Sequence, residues 1–312
     1  LAPADSGFLT RLAADLPDGV LSEPEPRYLS EPRGLFHGQA GALARPRSTQ
    51  DAATLIRHAA AARVPVVPYG GGTGLVGGQV GWDMPAPLVI SLERMTATRA
   101  LDPLAGTLTV EAGAILADVQ AEAEEAGKLF PLSLASEGSA RIGGLLSTNA
   151  GGVNVLRYGN ARDLVLGVEA VLPSGEVMHG LKGLRKDNLG YDLRHLLIGA
   201  EGTLGIITAA CLRLVPRPAD QATALMVVDS PADALRLLDM ARDLVGDGLS
   251  AFELIAKAGL EFFEEVGPET RQPFADKPDW MCLIDLGLPK GQSAGEALMT
   301  LFEVAAEAGL VH

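Results

Sequence analysis

The chain has 312 residues, enough for about two domains and for an apolar core that needs no disulfide or metal. Its 25 basic and 39 acidic residues give a formal net charge of −14, which argues against a nucleic-acid partner because phosphate neutralisation needs clustered Lys and Arg. Hydrophobic residues make up 47% of the chain, which excludes wholesale disorder, and no apolar run approaches the ~18 residues of a membrane-spanning helix.

The first two thirds of the chain alternate predicted strands and helices around glycine-rich loops. Ser48 or Thr49 is a suitable N-cap for the Ala-rich amphipathic segment that follows. Pro173-Ser174-Gly175 predicts a hairpin turn between two apolar runs. The predicted elements, in chain order, are a short helix near Phe8–Leu16, a helix over Asp51–Arg63, strands over Val64–Pro68, Leu88–Leu92 and Thr107–Glu111, a helix over Ala114–Ala126, and strands over Val165–Leu172, Glu176–Leu181 and Ile206–Leu214.

The pattern changes after Pro216 and Pro218, which mark a predicted domain boundary. Three strand-then-helix units follow, and this order predicts a second α+β domain of ferredoxin-like type. The predicted strands are Ala224–Val228, Leu249–Leu254 and Met281–Leu286, and the predicted helices are Ala232–Leu244, Ala256–Val266 and Ala294–Ala308. The resulting division is an N-terminal segment over 1–45, a first domain over 46–218 and a partial second domain over 219–312.

A sequence from Gly72 to Gly77 matches the dinucleotide fingerprint G-x-G-x-x-G, and Glu93 follows Gly72 by 21 residues. The fingerprint requires a helix to begin within the glycines. The connection Gly78–Pro87 contains two glycines and two prolines, which disfavour a helix because Pro lacks an N–H donor. The sequence therefore disfavours the Rossmann fold, and it leaves this loop open as either an anion-binding loop or a tight turn.

Three loops between apolar segments share glycines and small polar residues: Gly70–Gly78, Ser147–Gly152 and Glu201–Gly205. Glycine permits close backbone approach, and successive N–H groups can form a concave anion site. A single loop of this kind could be only a tight turn. Three together predict a large ligand that carries a diphosphate and ring systems.

Pro68–Leu75, Ser147–Gly152 and Glu201–Thr208 resemble the FAD-binding domain of the vanillyl-alcohol oxidase / p-cresol methylhydroxylase (PCMH-type) superfamily. Leu132–Gly144 and Arg185–Leu193 look like the D-2-hydroxyglutarate dehydrogenase branch, although glycolate oxidase and D-lactate dehydrogenases share most of these motifs. The resemblance implies an α+β fold, with FAD held between two α+β subdomains of the first domain. It also implies that the second domain is part of a ferredoxin-like cap that carries substrate.

The resemblance also implies a set of cofactor-binding residues in the glycine-rich loops. Gly70–Gly74 would take the diphosphate, and the Ser147–Gly152 loop would hold the ribityl and flavin side. The full set is Gly70, Gly71, Gly72, Thr73, Gly74, Leu75, Gly138, Ser139, Ile142, Gly143, Ser147, Thr148, Asn149, Gly151, Gly152, Tyr158, Glu201, Gly202, Ile206 and Ile207. Because the first loop contains no His for a covalent tether, FAD is expected to be dissociable.

The activity that the resemblance implies is oxidation of a D-2-hydroxy acid, best D-2-hydroxyglutarate, to the 2-oxo acid by hydride transfer to flavin N5. Glycolate or D-lactate are alternative substrates. Two different roles also fit the resemblance: a non-catalytic FAD-binding electron-transfer subunit of a glycolate-oxidase-like complex, and non-redox use of flavin as in alkyl-dihydroxyacetonephosphate synthases. Expected partners are the small hydroxy acid, an unidentified electron acceptor and, as one option, a second copy in a homodimer.

No catalytic base and no metal ligands are assigned within the chain. The chain begins at Leu1 and ends at His312, and the resemblance leads us to expect that it is C-terminally truncated, with the catalytic residues and any divalent metal site beyond His312. Candidate carboxylate-binding cations are Arg157, Arg185 and Lys186, each of which could equally be a solvated charge. Tyr158, Asn188 and Tyr191 could face the flavin or simply pack.

Cys211 and Cys282 are the only cysteines, which excludes a disulfide scaffold and predicts buried thiols in a reducing compartment. Neither has a His or Lys neighbour in sequence that would lower its pKa. With no basic-then-apolar leader in the sequence, a cytoplasmic location is expected.

Overall fold

A computed structural model describes residues 1–267, 269 and 271–312. It divides the chain into two compact units. The first unit consists of Leu1–Ala150 and Asn160–Pro216, and the second consists of Gly151–Gly159 and Arg217–His312. Helices and strands are mixed in both units, which confirms the α+β class.

The described helices and strands follow the predicted order closely. The α-helices are α1 (Ser6–Ala13), α2 (Thr49–Ala62), α3 (Leu116–Glu125), α4 (Ile142–Ser147), α5 (Val155–Tyr158), α6 (Arg194–Leu197), α7 (Pro231–Val245), α8 (Lys257–Val266) and α9 (Ala294–Glu307). The strands are β1 (Leu21–Ser22), β2 (Ala42–Ala44), β3 (Val66–Tyr69), β4 (Leu88–Ser91), β5 (Thr98–Asp102), β6 (Thr107–Glu111), β7 (Lys128–Leu129), β8 (Val165–Val171), β9 (Val177–Gly180), β10 (Ile206–Arg213), β11 (Val215–Pro216), β12 (Asp220–Val228), β13 (Leu249–Ala256) and β14 (Trp280–Leu288).

The first sheet of the first unit has the order β1-β2-β4-β3, in which β2 and β3 both run parallel to β4. Strand β4 is buried along its whole length, as expected for the centre of a parallel sheet. Helix α2 begins where the sequence predicts, because the Ser48 hydroxyl accepts a hydrogen bond from the Asp51 N–H. The connection from β3 to β4 contains no helix, which confirms the rejection of the Rossmann fold.

The second sheet of the first unit is antiparallel, with the order β5-β6-β10-β8-β9. Strands β8 and β9 form the predicted hairpin. Sequence reasoning missed β5, which lies at the edge with every residue exposed and therefore shows no alternation of apolar and polar positions. A short antiparallel pair joins β7 and β11.

Helix α4 lies in a segment that sequence reasoning treated as loop. Two of its six residues are glycines, which cost about 1 kcal/mol each in a helix. Tertiary contacts compensate, because the Gly143 N–H donates to the Ala112 carbonyl at 2.7 Å while Ile142, Leu145 and Leu146 are buried. Packing therefore outweighs propensity at this site.

The second unit contains an antiparallel sheet in the order β12-β14-β13, and helices α7 and α9 pack on one face of it. Its apolar core includes Leu237, Ile284 and Leu286, each with no exposed surface. Helix α5, from the separate segment Gly151–Gly159, packs against β13. The assignment of this unit as a ferredoxin-like cap, and the domain limits at 45 and 218, stay predictions.

Candidate functional site

A cleft opens within the first unit. All three glycine-rich loops of the sequence contribute to it. The lining residues are Pro68, Tyr69, Gly70, Gly71, Gly72, Thr73, Gly74, Val76, Gly78, Gln79, Ile90, Leu92, Ala112, Ala140, Arg141, Gly143, Gly144, Leu145, Ser147, Thr148, Glu201, Gly202, Ile206 and Ile207.

The loop after β3 supplies one wall of the cleft as bare backbone. Within the part of the chain that the structure describes, the N–H groups from Gly71 to Gly78 donate to no acceptor. Gly72 has φ +71°, in the left-handed region that glycine adopts without strain. Unpaired N–H groups in a glycine-rich loop are suited to bind the oxygens of a diphosphate.

The wall holds its position because two backbone segments lie in direct contact. A Cβ on Gly71 would overlap the Ser139 carbonyl oxygen and lie 2.9 Å from the Ala140 Cα. A Cβ on Gly70 would lie 3.1 Å from the Gly144 Cα. The first glycine loop therefore packs on the segment that leads into α4, and at Gly71 this contact leaves no room for a Cβ.

Helix α4 brings two hydroxyl groups to the cleft. The Ser147 hydroxyl donates to the Gly143 carbonyl at 2.7 Å, and the Thr148 hydroxyl donates to the Gly144 carbonyl at 3.1 Å. Because both protons are committed within the helix, the oxygen lone pairs are available to accept hydrogen bonds from a ligand.

The third glycine loop begins with a strained residue. Glu201 has φ +51°, which is uncommon for a residue with a Cβ, and its N–H donates to the Ser147 carbonyl at 2.9 Å. Gly202, with φ +78°, follows it. The strain lies at the cleft, where Glu201 is one of the lining residues.

Arg141 and Glu201 are the two charged residues among the lining residues. The Arg141 Nη1 donates to the Gly113 carbonyl and, at 3.5 Å, to the Glu93 carbonyl. Arg141 directly follows Ala140, whose Cα would lie 2.9 Å from a Cβ on Gly71. The remaining walls are mainly apolar.

A polar cluster in the same unit surrounds the Glu93 carboxylate. The Tyr28 hydroxyl donates to it at 2.8 Å, and Arg27 and Arg45 pair with it at 3.3 and 3.4 Å. Burial tends to raise the pKa of Glu93, but the Tyr28 hydrogen bond and the arginine charges outweigh burial and hold that pKa below its ordinary value. Burial and the hydrogen bond to Glu93 raise the pKa of Tyr28 to about 12.

The structure brings most of the predicted cofactor residues to the cleft. Those that line it are Gly70, Gly71, Gly72, Thr73, Gly74, Gly143, Ser147, Thr148, Glu201, Gly202, Ile206 and Ile207. Leu75, Gly138, Ser139, Ile142, Asn149, Gly151, Gly152 and Tyr158 do not line it.

Most of these outlying residues have a visible reason for their position. The Ile142 side chain is buried in the core, and the Asn149 side chain accepts from the Arg162 N–H at 3.0 Å. Ser139 packs on Gly71 through its backbone. Gly151, Gly152 and Tyr158 belong to the second unit.

The lining residues that sequence reasoning missed fall into two groups. Pro68, Ala140 and Arg141 lie within the quoted motifs but were not assigned to the site, and Gln79 directly follows the first glycine loop. Ile90, Leu92 and Ala112 come from or adjoin other strands, and only the pairing of β3 with β4 and the packing of α4 bring them to the cleft. No local signal marks this second group.

The candidate substrate-binding cations have different surroundings. The Arg157 Nη1 donates to the Ser250 hydroxyl at 3.0 Å and to the Gly287 carbonyl at 2.7 Å, and its guanidinium lies 4.9 Å from the centre of the Tyr158 ring. These contacts are within the second unit. Arg185, Lys186, Asn188 and Tyr191 are exposed.

Three further observations bear on the sequence predictions. Both cysteines are buried, and burial raises the pKa of Cys211 and raises that of Cys282 to about 11, as expected for unreactive thiols. Among the described residues, no group of three or more His, Cys, Asp or Glu side chains is arranged to hold a metal ion. No helix in the described residues is both long and apolar enough to span a bilayer.

The cleft matches the chemistry of a flavin dinucleotide. Unpaired N–H groups and one arginine are suited to a diphosphate, hydroxyl oxygens to polar ring and sugar groups, and apolar walls to two ring systems. Together with the α+β fold, these features are those of an FAD-binding domain. Residues 40–180 match the model of the family described as FAD binding domain.

The chain is also similar to curated enzymes along most of its length. It is 35% identical to the mitochondrial D-2-hydroxyglutarate dehydrogenase of Bos taurus over 97% of the chain, and 37% identical to that of Danio rerio over 85%. It spans only 55% and 51% of those two proteins, about half the length of the curated relatives it matches.

Among solved structures, an alkyldihydroxyacetonephosphate synthase superposes with a TM-score of 0.78 and 18% sequence identity. The superposition covers 98% of this chain and 59% of that one. At this level of identity the similarity establishes a shared fold and carries no information on the reaction.

The expected cytoplasmic location is wrong. The relatives from Bos taurus and Danio rerio are named as mitochondrial enzymes, which points away from the cytoplasm. The inference from cysteine usage could not have decided this, because free thiols persist in any reducing compartment.

Proposed function

We propose that this chain is the FAD-binding part of a flavin-dependent dehydrogenase that oxidises a D-2-hydroxy acid, with D-2-hydroxyglutarate as the best candidate, to the 2-oxo acid. The observation that supports this proposal most is the 35% identity to a D-2-hydroxyglutarate dehydrogenase over nearly the whole chain. That similarity coincides with a cleft whose lining is suited to FAD.

The residues of the chain would bind and orient the cofactor. The backbone N–H groups from Gly71 to Gly78 would hold the diphosphate, and the Ser147 and Thr148 oxygens would accept hydrogen bonds from the ribityl or flavin side. Apolar residues such as Ile90 and Ile207 would exclude water from the rings. Bound FAD would supply a ring that accepts hydride from the carbon bearing the substrate hydroxyl.

We propose further that FAD is dissociable. No histidine or cysteine occurs among the residues that line the cleft in the described part of the chain, so the usual side chains for a covalent flavin bond are not at hand. A small hydroxy acid as substrate, a separate electron acceptor and a homodimer remain parts of the proposal, and no residue is assigned as the catalytic base.

The proposal is tested by an anaerobic visible absorption spectrum of the FAD-reconstituted protein before and after addition of D-2-hydroxyglutarate. For this chain, resolved flavin bands are the expected result. Loss of their absorbance on addition of the acid is expected in a protein that also contains the catalytic residues. D-Lactate and glycolate in parallel samples would identify an alternative substrate, and L-2-hydroxyglutarate serves as the control for stereochemistry.

Two outcomes would contradict the proposal at different levels. Flavin bands that do not change with any of the D-acids or glycolate, in a protein that also contains the catalytic residues, would leave the FAD site intact and contradict the dehydrogenase activity. A spectrum identical to that of free FAD, with all flavin passing through a desalting column, would contradict the cofactor assignment itself.

A further inference from the structure

We propose that Arg141 neutralises the diphosphate of FAD and thereby makes this cleft select the dinucleotide over riboflavin. The inference rests on the proposed binding of FAD in the cleft and assigns one side chain a role in it. It concerns binding only and does not depend on which hydroxy acid is oxidised.

The first support is the charge of the cleft. Arg141 is the single basic residue among the described residues that line it, whereas Glu201 adds a negative charge. The protein as a whole carries −14, so its field opposes the approach of an anion. FAD carries its negative charge on the diphosphate, and the N–H groups of the glycine loop contribute only partial positive charge. One full positive charge at the cleft should therefore contribute strongly to binding of the anionic diphosphate.

The second support is that Arg141 has no ion-pair partner in the part of the chain that the structure describes. Its Nη1 is held by two backbone carbonyls, those of Gly113 and Glu93. The nearby Glu93 carboxylate is already satisfied by Tyr28, Arg27 and Arg45, although it also feels the charge of Arg141 at longer range. A guanidinium has five N–H donors in a planar fork, so Arg141 retains donors for a ligand.

The third support is position. Arg141 directly follows Ala140, and the Ser139–Ala140 backbone lies in contact with Gly71, the first residue of the Gly71–Gly78 segment whose N–H groups are unpaired. The contacts of Nη1 with the two carbonyls restrict the side chain before any ligand arrives. A restrained arginine loses little conformational entropy when it binds an anion, which favours a phosphate over water as its partner.

The test compares binding of FAD and riboflavin to the apo-protein by titration of flavin fluorescence. Riboflavin keeps the flavin ring and ribityl chain but lacks the diphosphate. For Arg141→Gln, we expect the Kd for FAD to rise about 10- to 100-fold, the range for loss of a hydrogen-bonded charge, while the Kd for riboflavin stays unchanged. Arg141→Lys keeps the charge without the fork and is expected to give an intermediate loss.

Arg33→Gln is the matched control. Arg33 lies outside the cleft lining, and its Nη2 donates to the Leu75 carbonyl in the same glycine-rich loop at 2.7 Å. The control therefore removes the same charge from a residue outside the cleft lining, together with one contact to the loop, and FAD binding is expected to change less than about threefold, a small free-energy difference. Thermal unfolding of each apo-variant shows whether loss of the carbonyl contacts has disturbed the fold.

The salt dependence gives a second readout that a purely structural role would not move. Between about 50 and 200 mM NaCl, FAD binding by the wild type should weaken more than FAD binding by Arg141→Gln, because screening acts on the charge pair. The inference would be overturned if Arg141→Gln lost affinity equally for FAD and riboflavin, or if its FAD Kd and the salt dependence of that Kd were the same as in the wild type. Failure of the wild type to bind FAD would overturn the proposed function first, and the inference with it.

Discussion

The interiors of the two units are stabilised by different interactions. In the second unit, the core between the sheet and helices α7 and α9 is apolar. The only buried polar residue of that unit among the described residues is Ser250, which accepts a hydrogen bond from Arg157. The first unit buries two carboxylates, those of Glu31 and Glu169, along with Ser91 and Thr208. One interior therefore depends on filled volume, and the other depends also on charge and hydrogen bonding.

Glu169 illustrates what the polar interior achieves. Its carboxylate accepts hydrogen bonds from the hydroxyls of Thr49 and Thr208 at 2.7 and 2.9 Å, and from Arg99 at 3.0 Å. These groups come from the start of α2 and from strands β10 and β5, while Glu169 itself lies on β8. A single ionised side chain thus fixes the position of four elements. We therefore expect that low pH lowers the stability of the first unit, and that removal of buried side-chain volume lowers the stability of the second.

Each unit contains one of the two tryptophans, which makes the comparison measurable. Trp82 lies in the first unit beside Phe36, and Trp280 lies on β14 in the second. In a Trp82→Phe background, fluorescence reports on the second unit, and in a Trp280→Phe background it reports on the first. Urea unfolding followed in both backgrounds then assigns any loss of stability to a unit.

The largest effect is expected from Ile284→Ala, which removes a fully buried side chain from the central strand of the second unit. The free energy of unfolding reported by Trp280 should fall by about 3 kcal/mol because of lost burial and the cavity left behind. Leu235→Ala, at a position 68% exposed on α7, is the control and should change it little. An equal loss reported by Trp82 would mean that the units unfold together and would remove the basis for the comparison.

A smaller effect is expected from Gly71→Ala in the first unit. The new Cβ would overlap the backbone of Ser139 and Ala140, and no rotamer change can relieve a clash between backbones. Overpacking of this kind should lower the free energy of unfolding reported by Trp82 by about 2 kcal/mol. It should also weaken FAD binding, because the loop Gly71–Gly78 would be displaced.

Gly138→Ala is the matched control for this change. A Cβ at Gly138 would meet nothing within 4 Å, and its backbone lies outside the left-handed region. Wild-type stability and FAD affinity are expected for it. If both alanine variants bound FAD as the wild type does, the close contact of the two backbone segments would have no role in forming the site.

The smallest effect is expected from Glu169→Gln, and it should depend on pH. Burial tends to raise the pKa of Glu169, but hydrogen bonds from Thr49, Thr208 and Arg99 outweigh burial and hold the pKa below its ordinary value. A depressed pKa in the folded state stabilises the fold above the unfolded-state value of about 4.3, and this contribution is lost as pH falls through the folded-state pKa. Glu169→Gln should therefore lower the free energy of unfolding of the first unit by about 1.5 kcal/mol at pH 7, and by progressively less below about pH 4.

The measurement is urea unfolding of the first unit, followed by Trp82 at about pH 7, 5 and 3.5, values that bracket the titration of a carboxyl group. Glu253→Gln, at an exposed position on β13, is the control and should track the wild type at every pH. A constant difference between Glu169→Gln and the wild type across this range would contradict the assignment of an ionised, stabilising carboxylate at position 169.

Much of the fold could be predicted from sequence because many elements carry their own signal. The strands and helices of the second unit alternate with clear apolar periodicity, and β6 was placed at its observed limits, Thr107–Glu111. Edge strand β5 and helix α4 escaped prediction for opposite reasons. The first has no buried face, and the second has a composition that disfavours helix until neighbouring segments pack on it.

The residues of the candidate site also divide into those that local sequence identifies and those that only tertiary packing places. Glycine loops that present backbone can be recognised locally, because the residue type itself is the functional feature at Gly71 and Gly72. The walls contributed by Ile90 and Ala112 depend on strand pairing and on the packing of α4, and no local pattern specifies them. The grouping of Gly151–Gly159 with the second unit depends in the same way on the packing of α5 against β13.

That grouping has a consequence for how the chain can be divided. The polypeptide passes from the first unit to the second at residue 151, returns at 160 and leaves again at 217. A single cut after Pro216 therefore releases a C-terminal fragment that lacks α5, and the N-terminal fragment keeps a helix without the strand on which it packs. Neither unit can be exchanged between proteins as one contiguous gene segment, so recombination should conserve the two together.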